Sequence, residues 1–184
     1  MRLFLAFSLS STESRAVYTA CERFTAEEQA PLRWVPADNW HVTVVFLGEV
    51  AEHLLSLLAE LVEPVVARYQ YLSLNLDRLV WFPNTSKARL LALAGEPGQP
   101  LQHLQQNLAS ELRRHGFTIE QRAWRPHLTL ARYRGARKRF DPFALPATPA
   151  VDLQLDRLSL LQSVAGPAGT GPRYLPLQHF ELSP

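Results

Sequence analysis

A degenerate internal repeat constrains what this chain can fold into more than any other feature of its sequence. Three segments of the first half recur in the same order in the second half: Arg2–Ala6 as Arg89–Leu93, His41–Thr43 as His127–Thr129, and Leu74–Leu79 as Leu153–Leu158. Segments repeated in the same order indicate a duplicated structural unit. A chain of 184 residues is long enough for one well-packed domain and too short for two ordinary ones. We therefore predict a single domain, residues 1–184, made of two halves related by a pseudo-twofold axis.

Local sequence patterns place strands and helices in the same succession in each half. Apolar and β-branched runs predict strands over residues 2–9, 41–47, 71–83, 89–94, 127–133, 151–162 and 173–182. Apolar residues at helical spacing, with start and stop signals, predict helices over residues 11–29, 51–68 and 100–115. Two halves with this succession would bring their His-x-Thr strands together at one central cleft.

Each His-x-Thr segment has polar residues at alternate positions of a predicted strand. Because side chains alternate between the two faces of a strand, His41 and Thr43 point to one side, and Val42, Val44 and Phe46 point to the other. The second segment repeats this arrangement, with leucines alternating with its histidine and threonine. Each strand thus presents one face with an imidazole and a hydroxyl, and one apolar face for the core.

Two imidazoles on either side of one phosphorus atom can divide the proton transfers of phosphodiester cleavage. A neutral imidazole removes a proton from the attacking water, and a protonated imidazole donates one to the leaving oxygen. The ordinary histidine pKa of about 6.5 suits both roles near neutral pH. Threonine hydroxyls can donate hydrogen bonds to the non-bridging oxygens as negative charge develops. The paired segments therefore predict a metal-free acid/base site for a phosphodiester.

The alternative interpretation of any one histidine is a structural role, and a single His-x-Thr segment would not argue against it. The occurrence of the segment at equivalent places in a repeat is what favours catalysis. The remaining histidines lack a matching threonine and are interpreted as surface or packing residues: His53, His103, His115 and His179. Two histidines without Asp, Glu or Cys at ligand spacing fall short of the usual three protein ligands of a catalytic metal, so no metal is expected.

The composition limits the compartment and the partners. A net charge of +2 and a pI near 8.9 permit an anionic ligand without the charge density of a non-specific nucleic-acid coat. The single cysteine, Cys21, rules out an intramolecular disulfide and is typical of a reducing compartment. The sequence has no run of 18 apolar residues, so no membrane helix is predicted. It also has no phosphate-binding Gly-rich loop, so no ATP-dependent chemistry is predicted. We expect a cytoplasmic, monomeric protein without a cofactor.

Several segments together resemble those of a known family: Trp40–Gly48, Arg125–Arg132, Gly171–Tyr174 and the opening Arg2–Ala6. The chain resembles the 2H phosphoesterase superfamily and, within it, the bacterial RNA 2',3'-cyclic phosphodiesterases, also called 2'-5' RNA ligases. The resemblance extends from Arg2 to the last predicted strand. It implies a bilobal α+β fold with two antiparallel sheets, helices on the outer faces and the active site in the cleft between the lobes.

The resemblance also implies a reaction and a role for each motif residue. Members open a 2',3'-cyclic phosphate at an RNA end to a 2'-phosphomonoester, and they join tRNA halves through a 2'-5' bond without ATP. By position in the motifs, His41 would be the proton donor and His127 the proton acceptor, while Thr43 and Thr129 would hold the phosphate. The residues alone leave the assignment of acid and base open, because the two halves are nearly symmetric.

Three further residues are candidates for substrate binding. Arg132 matches a family arginine that contacts the phosphate, but strict alternation would point it away from His127, so a bulge or strand end is required. Phe46 and Tyr174 are candidates to stack on a base, with packing in the core as the alternative. Trp34 and Trp81 have the same two interpretations.

Two loops bear on substrate choice. The basic run Arg134–Arg139 could contact an RNA backbone, although a solvated loop is the favoured interpretation. The loop at residues 165–172 is rich in Gly and Pro, whereas family members have a more polar segment at this place. The resemblance therefore says least about which substrate this loop would select.

Two other functions remain open from the sequence. A sibling enzyme would use the same chemistry on a small nucleotide, such as a cyclic or 2'-5'-linked one. A protein of another class would bind RNA or a nucleotide without turning it over. The paired histidines favour an enzyme, because a binding module has no need of two matched proton-transfer groups.

Overall fold

The computed structural model describes residues 1–27, 32–133, 145–167 and 171–184. Three α-helices are found in these ranges: α1 (Ser11–Glu27), α2 (Leu55–Val66) and α3 (Gln99–Arg114). The ten strands of the same ranges are β1 (Arg2–Ser8), β2 (Leu32–Trp34), β3 (His41–Glu49), β4 (Leu72–Leu76), β5 (Arg78–Phe82), β6 (Leu90–Ala94), β7 (His127–Tyr133), β8 (Val151–Leu155), β9 (Arg157–Val164) and β10 (Arg173–Glu181).

The strand order reproduces the internal repeat. The larger, antiparallel sheet has the order β10-β9-β1-β3-β7-β6-β5, and β2 pairs with β7 outside this path. In the repeat, β1, β3 and β9 of one side correspond to β6, β7 and β5 of the other, so the order is symmetric about the boundary between β3 and β7. At that boundary β3 and β7 pair through Val42 and Leu128. The predicted α+β fold with two antiparallel sheets and an internal repeat is confirmed.

The second sheet connects the two halves. It consists of β4 and β8, which pair in antiparallel register with Leu74 opposite Leu153. Each of these strands is followed by one residue, Asp77 or Asp156, and then by a strand of the larger sheet. The predicted single strands over residues 71–83 and 151–162 are therefore wrong, since each is two strands in two different sheets. At each change of sheet two consecutive polar residues, Asp77-Arg78 or Asp156-Arg157, shift the apolar alternation by one position, but no Gly or Pro ends the strand there.

The core fills the space between one face of the large sheet and the helices. On β1, Leu3, Leu5 and Phe7 are buried in the main core, whereas Phe4 and Ala6 belong to a separate cluster on the other face. Helix α3 buries a row of leucines at helical spacing and packs against β3, β4 and α2. The face of the sheet that carries Phe4 and Ala6 remains available for the functional site.

Two further expectations concern the helices and the cysteine. None of the helices in the described ranges is long and apolar enough to cross a membrane. Cys21 lies on α1 and is buried, and burial raises the pKa of its thiol to about 11. The thiol is therefore protonated at neutral pH and is not a nucleophile of the site.

Candidate active site

The structure brings the two His-x-Thr segments side by side on one face of the large sheet. His41 and Thr43 flank Val42 on β3, and His127 and Thr129 flank the residue opposite it on β7. All four polar side chains are half-buried, whereas the apolar residue between them on each strand is fully buried. The two imidazoles are close enough for the charge of His127 to lower the pKa of His41. The cleft face thus holds both motifs together.

Both imidazole rings are oriented by the same hydrogen bond. The Nδ1 atom of His41 lies 2.7 Å from the carbonyl oxygen of Asn39, and that of His127 lies 2.9 Å from the carbonyl oxygen of Arg125. A carbonyl oxygen can only accept, so Nδ1 donates in both cases and Nε2 is left for the substrate. In each half the acceptor is the residue two positions before the histidine, so this hydrogen bond is repeated in both halves.

Aromatic rings hold the two imidazoles in different ways. The His41 ring lies between Phe4, at a centroid distance of 5.1 Å, and the edge of Tyr174, at 4.8 Å. The His127 ring stacks on Phe82 at 4.2 Å with an angle of 18° between the planes. The guanidinium of Arg125 lies 5.0 Å over the same Phe82 ring. Tyr174 belongs to β10, which has no counterpart in the repeat, so the surroundings of the two histidines differ although their hydrogen bonds match.

Matched β-bulges interrupt the alternation after each motif. On β3, Thr43 and Val45 are paired with neighbouring residues of β1, which leaves Val44 as an extra residue. On β7, Thr129 and Ala131 are paired with neighbouring residues of β6, which leaves Leu130 as an extra residue. The two extra residues occupy the same position of the repeat. A one-residue bulge reverses the faces of the residues that follow it, which on β3 holds as far as a second bulge at Leu47.

The bulges bring Phe46 and Arg132, which are equivalent in the repeat, to the cleft face. Phe46 is 55% exposed and its ring lies 5.7 Å from that of Phe4, so its predicted place on the core face is wrong. The bulge that Arg132 was expected to require is present, and the guanidinium lowers the pKa of both His41 and His127. One half therefore contributes an aromatic ring and the other a cation.

Burial favours the neutral form of both imidazoles in the free protein. It lowers the pKa of His41 to about 4, and the charges of Arg132 and His127 act in the same direction against the hydrogen bond to Asn39. Burial also lowers the pKa of His127, and Arg125 and Arg132 add to this effect. A neutral imidazole can accept a proton directly. It becomes a proton donor when an anionic phosphate binds beside it and favours its charged form.

We expect the titration of His41 to respond to ligand. In the free protein, the imidazole NMR signals of His41 should titrate with a midpoint near pH 4, well below the ordinary histidine value of about 6.5. A bound 2'-nucleotide should raise the midpoint, because its phosphate stabilises the imidazolium. An unchanged midpoint in the presence of saturating 2'-nucleotide would contradict the placement of the phosphate beside His41.

Of the other candidates for substrate binding, some lie at the site, some in the core and some outside the described residues. Tyr174 is at the site, Trp81 is buried in the core, and Trp34 is partly buried against the core. The run Arg134–Arg139 lies outside the described residues, as do residues 168–170 of the loop at 165–172.

Of the histidines without a matching threonine, His179 lines the same cavity as His41, whereas the other three line neither that cavity nor the one beside His127. His53, His103 and His115 are exposed, and His179 is exposed with its Nδ1 atom 2.9 Å from the hydroxyl of Ser159. Across the ranges that the structure describes, no three His, Cys, Asp or Glu side chains come together as a group that could hold a metal ion.

The residues that position the histidines were not singled out from the sequence. Asn39 and Arg125 each precede a histidine by two positions, and each side chain is anchored to a proline carbonyl: Asn39 to Pro172 at 2.9 Å, and Arg125 to Pro83 at 3.1 Å. The equivalent spacing within the repeat is the signal that could have identified them. Phe82 carries no such signal, because only the sheet topology brings it to His127.

A cavity of about 690 Å³ adjoins His41, and one of about 280 Å³ adjoins His127. Two matched imidazoles oriented through Nδ1, paired threonines and an arginine lie on one face of a pseudo-symmetric sheet, and this arrangement defines a two-histidine phosphoesterase. Residues 14–167 match the model of the 2'-5' RNA ligase superfamily. The chain belongs to this superfamily.

Curated relatives can be aligned with most of this chain. The RNA 2',3'-cyclic phosphodiesterase of Thermotoga maritima is 27% identical over 175 residues, which cover 95% of this chain and 91% of the relative. The RNA 2',3'-cyclic phosphodiesterase of Methanothermobacter thermautotrophicus is 30% identical over 158 residues, which cover 83% of this chain and 84% of the relative.

Solved structures share the fold. The structure of E. coli LigT complexed with 3'-AMP superimposes with a TM-score of 0.79 and 26% identity, covering 100% of this chain and 98% of that chain. TT0787 of Thermus thermophilus has a TM-score of 0.80 at 23% identity over 99% of this chain and 98% of its own, a likeness of fold alone.

Proposed function

We propose that this protein hydrolyses the 2',3'-cyclic phosphate at RNA ends to a 2'-phosphomonoester, by acid/base catalysis that needs no metal. The observation that carries this proposal is the joining of both His-x-Thr segments on one cleft face, where each Nδ1 atom is hydrogen-bonded and, among the described residues, neither Nε2 atom has a hydrogen-bond partner. Relatives at 27% to 30% identity over most of the chain are named RNA 2',3'-cyclic phosphodiesterases, which supports the same reaction here.

The proton transfers follow from the orientation of the two rings. Water attacks the phosphorus, and its proton passes to Nε2 of His127, the proton acceptor. The bond between phosphorus and the 3'-oxygen breaks, and that oxygen receives a proton from Nε2 of the protonated His41, the proton donor. The products are a 3'-hydroxyl and a 2'-phosphate, so atoms and charge balance. Return of the His127 proton to solvent and reprotonation of His41 complete the cycle.

The remaining groups of the cleft face bind the phosphate as charge builds on it. Thr43 and Thr129 occupy equivalent positions and would donate hydroxyl hydrogen bonds to the two non-bridging oxygens. The guanidinium of Arg132 supplies a fixed positive charge near both imidazoles, and a planar guanidinium suits phosphate oxygens. These roles place the greatest stabilisation on the transition state, where the phosphate carries most charge.

A nucleobase would bind beside the phosphate, against exposed aromatic surface. Phe46 presents an exposed ring next to Phe4, and Tyr174 borders the cavity beside His41. Stacking on such rings tolerates different bases, because every base has an aromatic face. We assign Phe46 and Tyr174 to base binding on this ground, and this fits an enzyme that acts on RNA ends of varied sequence.

The same groups would also support ligation. If the 5'-hydroxyl of a second RNA replaces water, His127 accepts its proton and the same 3'-oxygen leaves, which produces a 2'-5' linkage. The cyclic phosphate itself supplies the leaving group, so no ATP enters the balance. We propose this as a secondary activity of a monomeric, cytoplasmic enzyme, a compartment that the single buried thiol of Cys21 suits.

We expect the purified protein to convert a cyclic-phosphate-ended oligonucleotide to the 2'-phosphomonoester in the presence of EDTA. Chromatography against 2'- and 3'-phosphate standards identifies the product, since protonation of the 3'-oxygen leaves the phosphate on the 2'-oxygen. Loss of turnover in EDTA would overturn the metal-free mechanism. Binding of the oligonucleotide without any turnover would favour a binding module, and turnover confined to cyclic mononucleotides would favour a small-nucleotide enzyme.

A further inference from the structure

Two arginines face each other directly across neighbouring strands at one border of the cleft. In the pairing of β2 with β7, Arg33 lies opposite Arg132. Residues directly opposite in an antiparallel pair have their side chains on the same face, and like charges in this arrangement are destabilising. Both arginines are half-buried, and within the described residues neither forms an ion pair with a carboxylate. An anion at this border would relieve the repulsion.

The two guanidiniums have different neighbours. Arg132 lies on the sheet face that carries both histidines, close enough for its charge to act on both imidazoles. The Arg33 guanidinium lies against Gly171, where an added Cβ atom would come within 2.8 Å of its Nη2 atom. A small recess lined by Arg33, Arg132 and Tyr174 connects the two arginines, and Tyr174 contacts His41. Arg33 thus adjoins Arg132 on a continuous surface that extends to the histidines.

The surface beyond Arg33 offers a path for an anionic chain. A shallow groove of about 620 Å³ continues from Arg33 towards Arg2 and Ser163. Its acidic residue, Glu49, lies 3.4 Å from the N-terminal ammonium of Met1. By contrast, the cavity beside His41 contains one arginine and four carboxylates: Arg157, Glu13, Asp38, Asp152 and Asp156. A phosphodiester chain is therefore attracted to the Arg33 side and repelled from the other.

We propose that Arg33 binds the phosphate on the 5' side of the terminal nucleoside and thereby makes the enzyme prefer RNA ends to cyclic mononucleotides. This inference rests on the proposed hydrolysis of cyclic phosphates and names its substrate class. A nucleoside 2',3'-cyclic phosphate with a free 5'-hydroxyl contains only the reacting phosphorus. An RNA end contains a second phosphate, which is the anion that a second arginine can recognise.

Three substrates separate the contribution of the second phosphate from that of a second base. They are a nucleoside 2',3'-cyclic phosphate, its 5'-phosphorylated form and a dinucleotide with a cyclic end. For the unmodified protein, kcat/KM should be about tenfold higher for the latter two than for the first. Arg33→Gln should abolish this preference by lowering kcat/KM for the second and third substrates about tenfold relative to the first, and Arg33→Lys should restore part of it.

Salt dependence distinguishes an ionic contact from a structural one. For the dinucleotide, the slope of log(kcat/KM) against log[salt] should become less steep by about 0.7 in Arg33→Gln, as expected for one lost phosphate contact on a single strand. The slope for the cyclic nucleoside should not change. Arg68→Gln is the matched control, since Arg68 is exposed in the turn that follows α2 and lines none of these cavities.

The failures of the two proposals are distinguishable. An unmodified protein that turns over none of the three substrates overturns the proposed hydrolysis. Normal turnover of all three without a preference for the second phosphate overturns the role of Arg33 alone. An equal loss on all three substrates in both Arg33 variants also overturns it, because that pattern is expected if Arg33 only packs against the Gly171 turn.

Discussion

His127→Ala and His41→Ala are each expected to lower kcat/KM for a cyclic-phosphate-ended RNA by about two to four orders of magnitude. Each substitution removes the group that carries one of the two proton transfers. Hydrogen bonds and aromatic contacts hold each ring in its orientation, so the loss of a ring removes an oriented catalytic group. Single-turnover kinetics with excess protein measure the loss directly. His103→Ala is the control, because His103 is exposed on α3 and lacks a partner threonine.

The pH profile gives this prediction a second measurement. The unmodified protein should show two limbs in kcat/KM, which belong to the coupled pair of imidazoles in the free protein. Burial lowers both pKa values, so the acidic limb should lie below the ordinary histidine value of about 6.5. Each alanine variant should retain at most one limb. A flat profile in the unmodified protein, or a loss below tenfold in both variants, would contradict paired acid/base catalysis.

The overall architecture was predictable because short matching segments make the internal repeat recognisable in the sequence. The two His-x-Thr segments became β3 and β7, side by side, as the pseudo-twofold axis requires. What failed was the assignment of strands to sheets. The change of sheet at Asp77 and Asp156 is accompanied by a one-residue shift in the apolar alternation, but no Gly or Pro separates the two apolar runs, so each run resembles one continuous strand. The three-residue strand β2 was also missed, since its length is below any periodic window.

The least predictable part of the site is the face on which each residue lies. The bulges at Val44 and Leu130 involve an extra β-branched or apolar residue in a continuous apolar run, with no glycine to indicate them. Alternation therefore misplaced Phe46, and it left the direction of Arg132 dependent on a bulge that only tertiary pairing could reveal. The resemblance to the family identified Arg132 where alternation could not.

The contacts that distinguish the two halves also depend on tertiary structure. Tyr174 reaches His41 from β10, and Phe82 reaches His127 from β5, so neither lies near its histidine in sequence. The carbonyls of Asn39 and Arg125 are local, by contrast, and recur at the same spacing. Repeated local contacts thus follow from the duplicated sequence, whereas the different surroundings of His41 and His127 arise where the chain departs from the repeat.

Arg132→Gln is expected to lower kcat/KM by about two to three orders of magnitude, the usual cost of removing a group that stabilises charge in the transition state. Arg132→Lys should recover part of the loss, since lysine keeps the charge but not the planar pair of donors. The positive charge of Arg132 lowers the pKa of His41 and His127. Its removal should raise both values, so both limbs of the pH profile should move to higher pH in Arg132→Gln.

The direction of this movement separates an electrostatic role of Arg132 from a structural one. A variant that merely loosens the bulge would lose activity without moving the two limbs together, whereas loss of a nearby cation moves both in the same direction. Arg113→Gln is the control, because Arg113 is exposed in the last turn of α3. Limbs that stay in place in Arg132→Gln, or that move to lower pH, would place the guanidinium away from the two imidazoles and leave the phosphate without its fixed positive charge.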